Sequence, residues 1–377
     1  FLGSVMIFVF LVGLIWGHLK FKKPPLIVPL FFLMQVISAL FSQFPHTAFW
    51  GYYPRLNGGL VSSLIWFGLF VVAYSTFDFK QVLKLIFISL VLTAIPVSVL
   101  GILQSLGWAG LGSADLVARV SSTIGQPNWL AIYLVWAILL VLHRFLRDAF
   151  DRLSLIWLGL FCLFTVCFWL TYSLSGLLSL SFGIVFLLIL NRKSYSFLKL
   201  IPVVLVFLTL ATLFPGMLFL RIQDGFTDFI KLFSSHFFVY AQSQIYNVSD
   251  PGFIRLGLWE GTLSISFSSM RNFIFGTGPE TFSYIFPFFR PSSLNFSSEW
   301  DFILNKPHNY YLELLPETGI FSLISYLAIL FLSFVKKHPW GTGLLVAFVV
   351  SNFFGWPSVV MSLYFWVFLA GVLQYEK

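Results

Sequence analysis

The sequence predicts an all-α membrane protein, a polytopic helix bundle of about 11 transmembrane helices with one large extracytoplasmic loop that contains short helices. Three observations predict it. Of the 377 residues, 59% are hydrophobic and only 10% are charged, whereas a soluble domain carries about 25% charged residues. Mean hydropathy is +0.92. The apolar residues also come in long runs, without the alternation with polar residues that lipid-facing strands require. Together these exclude a water-soluble enzyme, a disordered chain and a collagen-like repeat.

A spanning helix needs roughly 17–25 mostly apolar residues. That window predicts spans at 1–18, 26–44, 58–77, 82–106, 128–143, 154–172, 176–190, 198–219, 311–335, 340–354 and 358–374. The expected organisation is an N-terminal helix block at 1–219, a large extracytoplasmic loop at 220–307 and C-terminal helices at 308–377, in one integrated membrane domain. Cys162 and Cys167 share one apolar run and give no disulfide framework. The chain opens on Phe1 inside a hydrophobic stretch, which reads as a start lacking upstream residues.

The charges set an expected orientation. Lys20, Lys22, Lys23, Lys80, Lys84, Arg144, Arg147, Arg152, Arg192, Lys193, Lys199, Lys336, Lys337 and Lys377 are 14 of the 22 basic residues, and they fall on alternate connections. By the positive-inside rule those connections face the cytoplasm. The net charge of +8 is then a topogenic signal and a match to anionic lipid, and nucleic acid is not an expected partner. Ten acidic residues, Glu280, Glu313 and Glu317 among them, fall on the outer side or its edge. No charge lies near the centre of a predicted span, which counts against ion-coupled transport.

The outer loop runs for about 90 residues from Leu220 to Lys306, too long for a mere connector. Within Ile222–Ser234, Phe226, Phe229, Ile230 and Phe233 lie opposite Asp224, Asp228 and Lys231, as in a surface-lying amphipathic helix. A second helix is expected from Arg255 to Phe267, with Leu256, Trp259 and Leu263 on one face. Gly276-Thr277-Gly278-Pro279 follows as a tight turn, then an irregular stretch from Pro287 to Ser298.

Three polar segments run directly into apolar helices. They are Trp50 to Gly59, with Arg55; Arg119 to Ala131, with Asn128; and Asn305 to Glu313, with His308, Asn309 and Tyr310. Arg grips phosphate oxygens through a fixed fork of donors. Helix N-termini add further donors. Asn pairs with hydroxyls, aromatic faces pack on sugar rings, and His takes a proton near neutral pH. A lipid-diphosphate-linked glycan presents this mixture of groups. Arg55, Arg119, Asn128, Asn309 and Tyr310 are therefore candidate substrate contacts, and His308 a candidate base. The plainer readings are lipid headgroup anchors, for Arg55, Arg221, Arg271 and Arg290, and aromatic belts, for Trp50, Tyr52, Trp129 and Tyr311. Gly276 and Gly278 read as turn glycines. No zinc, thiol-redox or nucleophile-elbow motif is present, and neither a metal nor a cofactor is expected.

At these residues the sequence resembles the O-antigen ligase/polymerase family of bacterial membrane glycosyltransferases. His308-Asn309, nine residues, then Gly319-Ile320-Phe321-Ser322 resembles that family's His-Asn, nine positions and Gly-x-x-Gly, with Ser322 replacing the last Gly. Arg119 through Ala131, completed by Tyr133, resembles a second segment. Arg255 with Trp259, then Phe275-Gly276-Thr277-Gly278 and Phe282, resembles a third. The resemblance implies glycan transfer from an undecaprenyl-diphosphate donor to a glycan, lipid A core or protein hydroxyl outside the bacterial cytoplasmic membrane, without an obligatory metal. It implies His308 as general base and Arg255 as pyrophosphate ligand, with Arg119 a further one. One departure stands out. In Tyr172-Ser173-Leu174-Ser175-Gly176, Leu174 occupies the position where relatives carry Arg, and Arg55 is a conceivable substitute. A lipid-linked-glycan flippase and a non-catalytic envelope scaffold remain alternatives.

Overall fold

The computed structural model describes residues 2–53, 55–108, 119–214 and 251–375. Those residues are all-helical, with no strand among them. In chain order the helices are α1 (Leu2–Ile15), α2 (Ile27–Leu40), α3 (Pro45–Trp50), α4 (Leu60–Thr76), α5 (Phe79–Ser105), α6 (Pro127–Arg147), α7 (Arg152–Trp169) and α8 (Leu174–Asn191). Then follow α9 (Leu200–Leu213), α10 (Pro251–Phe267), α11 (Met270–Phe275), α12 (Phe282–Ile285), α13 (Tyr310–Thr318), α14 (Ile320–Val335), α15 (Gly341–Phe353) and α16 (Val359–Val372). The expected amphipathic helix at Ile222–Ser234, and Arg221 with it, lies outside the described residues.

Four helices, α5 to α8, are long and apolar enough to cross a membrane. Seven further apolar helices are shorter and sit where the remaining spans were predicted. The chain is a multi-pass membrane protein, with four clear candidate spans and seven shorter apolar helices rather than an established eleven crossings. One predicted span is divided. The run expected at 311–335 breaks at Gly319, whose φ of +82° separates α13 from α14. Gly319 lies against the backbone of Ile274 and Phe275, where a Cβ would collide; only glycine gives both the approach and the turn.

The described residues form two compact units. One takes residues from Phe1–Phe77, Asp224–Leu332 and Asn352–Ala370, the other from Asp78–Gln223, Ser333–Ser351 and Gly371–Lys377.

In the second unit α6 is the core. Its spanning window is 89% buried, against 33–39% for α5, α7 and α8, so α6 is enclosed by protein while its neighbours keep an apolar face for lipid. Its start is set by Pro127 in the first turn and by Gln126, whose side chain accepts from Trp129 N–H at 2.8 Å. Asp78 and Gln81 form a reciprocal capping box on α5, at 2.8 and 2.9 Å. Asp151 caps α7 and Ser173 caps α8.

In the first unit, α2 packs through Phe31 onto Tyr326 and Trp366, with ring centroids 5.5 and 5.7 Å away. A second cluster joins Ile254, Leu258 and Ile265 of α10 to Phe282, Phe286 and Leu294. The helix expected from Arg255 to Phe267 is present as α10. Leu263 is exposed, and burial follows Ile254, Leu258 and Ile265. Gly257 and Gly261 decide this: they let α10 approach Leu294 and Phe286 more closely than any side chain would.

Candidate active site

The third polar segment lies in the first unit, against a tight turn. Thr277 N–H donates to Pro316 O at 2.8 Å and Gly278 N–H to Glu317 O at 2.9 Å, so the turn is stitched to the end of α13. Ser42 Oγ donates to Thr277 O at 2.8 Å and Ser38 Oγ to Glu317 O at 2.6 Å, tying both to α2 and the residues after it. Gly276 and Gly278 have φ of +76° and +117° and are packed against backbone and side chains. They are turn glycines.

His308 immediately precedes the cap of α13. It has φ of +55°, the left-handed region that non-glycine residues seldom occupy. Its ring lies 5.1 Å from that of Trp356, tilted by 60°. The preceding carbonyl, Pro307 O, accepts from Trp259 Nε1 at 3.0 Å. Burial first, and the nearby Arg255 charge second, lower the His308 pKa to about 4. At neutral pH the imidazole is therefore uncharged and has a lone pair to accept a proton. Arg255 projects from α10 with its guanidinium carbon 5.8 Å from the centroid of the Phe354 ring. Arg255 and Trp259, one helical turn apart on α10, thus frame the His308 segment together with the residues following α15.

The other predicted contacts of this unit divide. The Asn309 side-chain oxygen accepts from Tyr311 and Leu312 N–H at 3.0 and 3.1 Å, so that atom is committed to capping α13. Tyr310 packs edge-on against Tyr326, 5.3 Å between centroids. Arg55 is exposed, with its guanidinium 5.8 Å from the Tyr52 ring. The segment after it bears on Glu280, because Gly58 (φ +85°) leaves no room there for a Cβ. Arg290 donates to Glu299 O at 2.9 Å and Arg271 donates to Phe41 O, so both tie down backbone.

Sequence reasoning did not select the group of charges beside His308. Lys306 is 3% exposed. Its ammonium donates to Glu280 Oε1 at 2.6 Å and to Glu313 Oε1 at 2.5 Å. Burial opposes its charge, but Glu280, Glu313 and Glu317 together hold its pKa well above the ordinary lysine value. Glu317 accepts Glu280 N–H at 2.9 Å, and burial pushes its pKa up against the pull of Lys306. The available signal was the spacing: Glu313 and Glu317 are four apart, on one face of a helix.

Arg119 and Asn128 belong to the second unit, where they meet. Arg119 donates through Nε to Thr171 O at 2.8 Å and through Nη2 to Asn128 Oδ1 at 2.5 Å. Ser173 Oγ also donates to Asn128 Oδ1, at 2.8 Å. Leu174 is the first residue of α8, and the guanidinium beside this turn comes from Arg119. Tyr172 here and Ser122 nearby in sequence also have positive φ, 46° and 48°. Among the described residues no group of three or more His, Cys, Asp or Glu is placed to hold a metal ion.

Fold and site define a multi-pass membrane protein with a neutral histidine beside an arginine. Residues 158–327 match the family model described as O-antigen ligase, and the match supports the O-antigen ligase/polymerase family for this chain. The matched stretch contains Arg255 and His308, whereas Arg55, Arg119 and Asn128 precede it. No curated protein matches the chain.

Proposed function

We propose that this protein transfers a glycan from an undecaprenyl-diphosphate donor to an acceptor hydroxyl at the outer face of the cytoplasmic membrane. The observation that carries this reading is His308, uncharged and half-buried, with the Arg255 charge close enough to act on it. The acceptor hydroxyl gives its proton to His308 as its oxygen bonds to the anomeric carbon. The bond from that carbon to the diphosphate oxygen breaks, and the anomeric centre inverts. Arg255 stabilises the charge growing on the departing lipid diphosphate. Trp259 and Trp356 offer ring faces to the sugar. The donor's polyprenyl tail remains in lipid.

The O-antigen ligase match supports the reaction type. The lysines and arginines on alternate connections support the orientation. The test uses the purified full chain in a bilayer with undecaprenyl-diphosphate glycan and, in separate arms, a glycan, lipid A core and a hydroxyl-bearing peptide. Sugar appearing on one acceptor as lipid diphosphate is released supports the reading. Glycan moving across the bilayer with no bond broken contradicts it.

A further inference from the structure

We propose that Lys306, clamped between Glu280 and Glu313, is a positioning residue that holds His308 in its left-handed backbone conformation. This rests on the reading of His308 as the base.

His308 has fixed points on both sides. Lys306 is tied by two ion pairs at 2.6 and 2.5 Å, Pro307 by the Trp259 indole at 3.0 Å, and Asn309 by two N–H groups of α13. Between these anchors His308 alone takes the left-handed conformation, with φ of +55°. A non-glycine residue stays there only where its surroundings over-determine it. The clamp also joins three separate pieces of chain: the loop holding Lys306, the turn holding Glu280 (itself at φ +61°) and helix α13 holding Glu313. Movement of the Lys306 loop or the Glu280 turn would reach the imidazole through Pro307, and movement of α13 through Asn309.

Stability does not account for this arrangement. A buried ion pair loses so much hydration that apolar replacements of equal volume are often as stable. Here two or three carboxylates share one ammonium, and Glu313 Oε2 is buried with no hydrogen-bond partner among the described residues. Such a network fixes direction and distance, which an apolar contact does not. A base displaced by about 1 Å can lose on the order of 10²-fold in rate, so direction is what catalysis needs at this point.

The experiment measures kcat and donor KM against pH for the full chain in bilayers. Lys306→Met, Glu280→Gln and the triple variant Lys306→Met/Glu280→Gln/Glu313→Gln are compared with His308→Ala. Glu280→Gln keeps an acceptor for Lys306, and the triple variant removes the ammonium together with both carboxylates that bond it, leaving only Glu317, whose pKa burial already raises, so folded protein is in hand even where Lys306→Met fails to fold. The groups facing His308 and the clamp are Arg255, Glu317, Arg55 and Tyr310, and all four stay in place. For the triple variant we expect kcat to fall about 10–100-fold, with donor KM within about twofold. The acid limb should rise from near 4 toward the free-histidine value as the ring loosens. Glu280→Gln should lose about 3–10-fold, a fraction of the displacement penalty. Wild-type kcat and an unmoved acid limb in folded Glu280→Gln and triple variants, with His308→Ala inactive, would overturn the positioning role and leave the base standing. Full transfer by His308→Ala would overturn the base itself.

Discussion

Helix α6 begins at Pro127 after the capping Gln126, and α13 begins after the capping Asn309; each is closed off from solvent, but by opposite means. Around α6 the burial is apolar, with Leu130, Leu134, Ile138 and Leu142 all within 0% exposure. Its charges, Arg144 and Arg147, wait for the last turn. On α13 the buried set includes Glu313 and Glu317, at 5% exposure each, with Lys306 turned in to meet them. The first arrangement costs nothing in desolvation and fixes a depth; the second costs several kcal/mol of desolvation per charge (on the order of) and fixes a direction. In a chain with 10% charged residues, three such groups buried beside one histidine mark where geometry matters most.

The comparison can be broken at either end. Arg255→Gln removes the cation whose charge acts on the base, and we expect transfer to fall roughly 10²–10³-fold, the loss typical of one stabilising donor. The same variant has a signed pH consequence. The Arg255 charge helps hold the His308 pKa at about 4, so its loss raises that pKa and moves the acid limb of kcat/KM to higher pH. An acid limb that stays in place separates the two side chains. In α6, Leu139→Ala leaves a cavity where Leu139 meets Gly183, with a cost of ~2–5 kcal/mol readable by denaturation in detergent. Its folded fraction should keep a normal pH profile. Asn309→Ala removes the cap of α13 and should cost about 1 kcal/mol, with a modest drop in thermal stability. A loss in transfer far beyond that stability change would mark a displaced His308 if it falls on kcat, and substrate contact by Asn309 if it falls on KM.

Much of this was legible in the sequence, and the rest has physical reasons for being hidden. Long apolar runs located a helix at every predicted span, because hydropathy is a local property. The break at Gly319 was not visible, because a hydropathy window averages through one glycine and cannot see the Ile274 backbone behind it. Periodicity put Leu256, Trp259 and Leu263 on one face of α10, but the depth of packing is set by Gly257 and Gly261, whose partners Leu294 and Phe286 only folding brings near. His308 was selected through its pattern with Asn309 and Gly319. Lys306 was not, since Glu280 lies 26 positions away and only folding brings it to 2.6 Å. At Leu174 the sequence showed a missing guanidinium; the structure shows Arg119 bonded beside that turn, to Thr171 O.

The central claim is that His308 takes the proton from the acceptor hydroxyl. It is tested most directly by single-turnover transfer from undecaprenyl-diphosphate glycan with folded, bilayer-embedded wild-type protein and His308→Ala. The account predicts a fall of ~10²–10⁴-fold for the variant with donor binding retained. A variant that transfers sugar at the wild-type rate would contradict it.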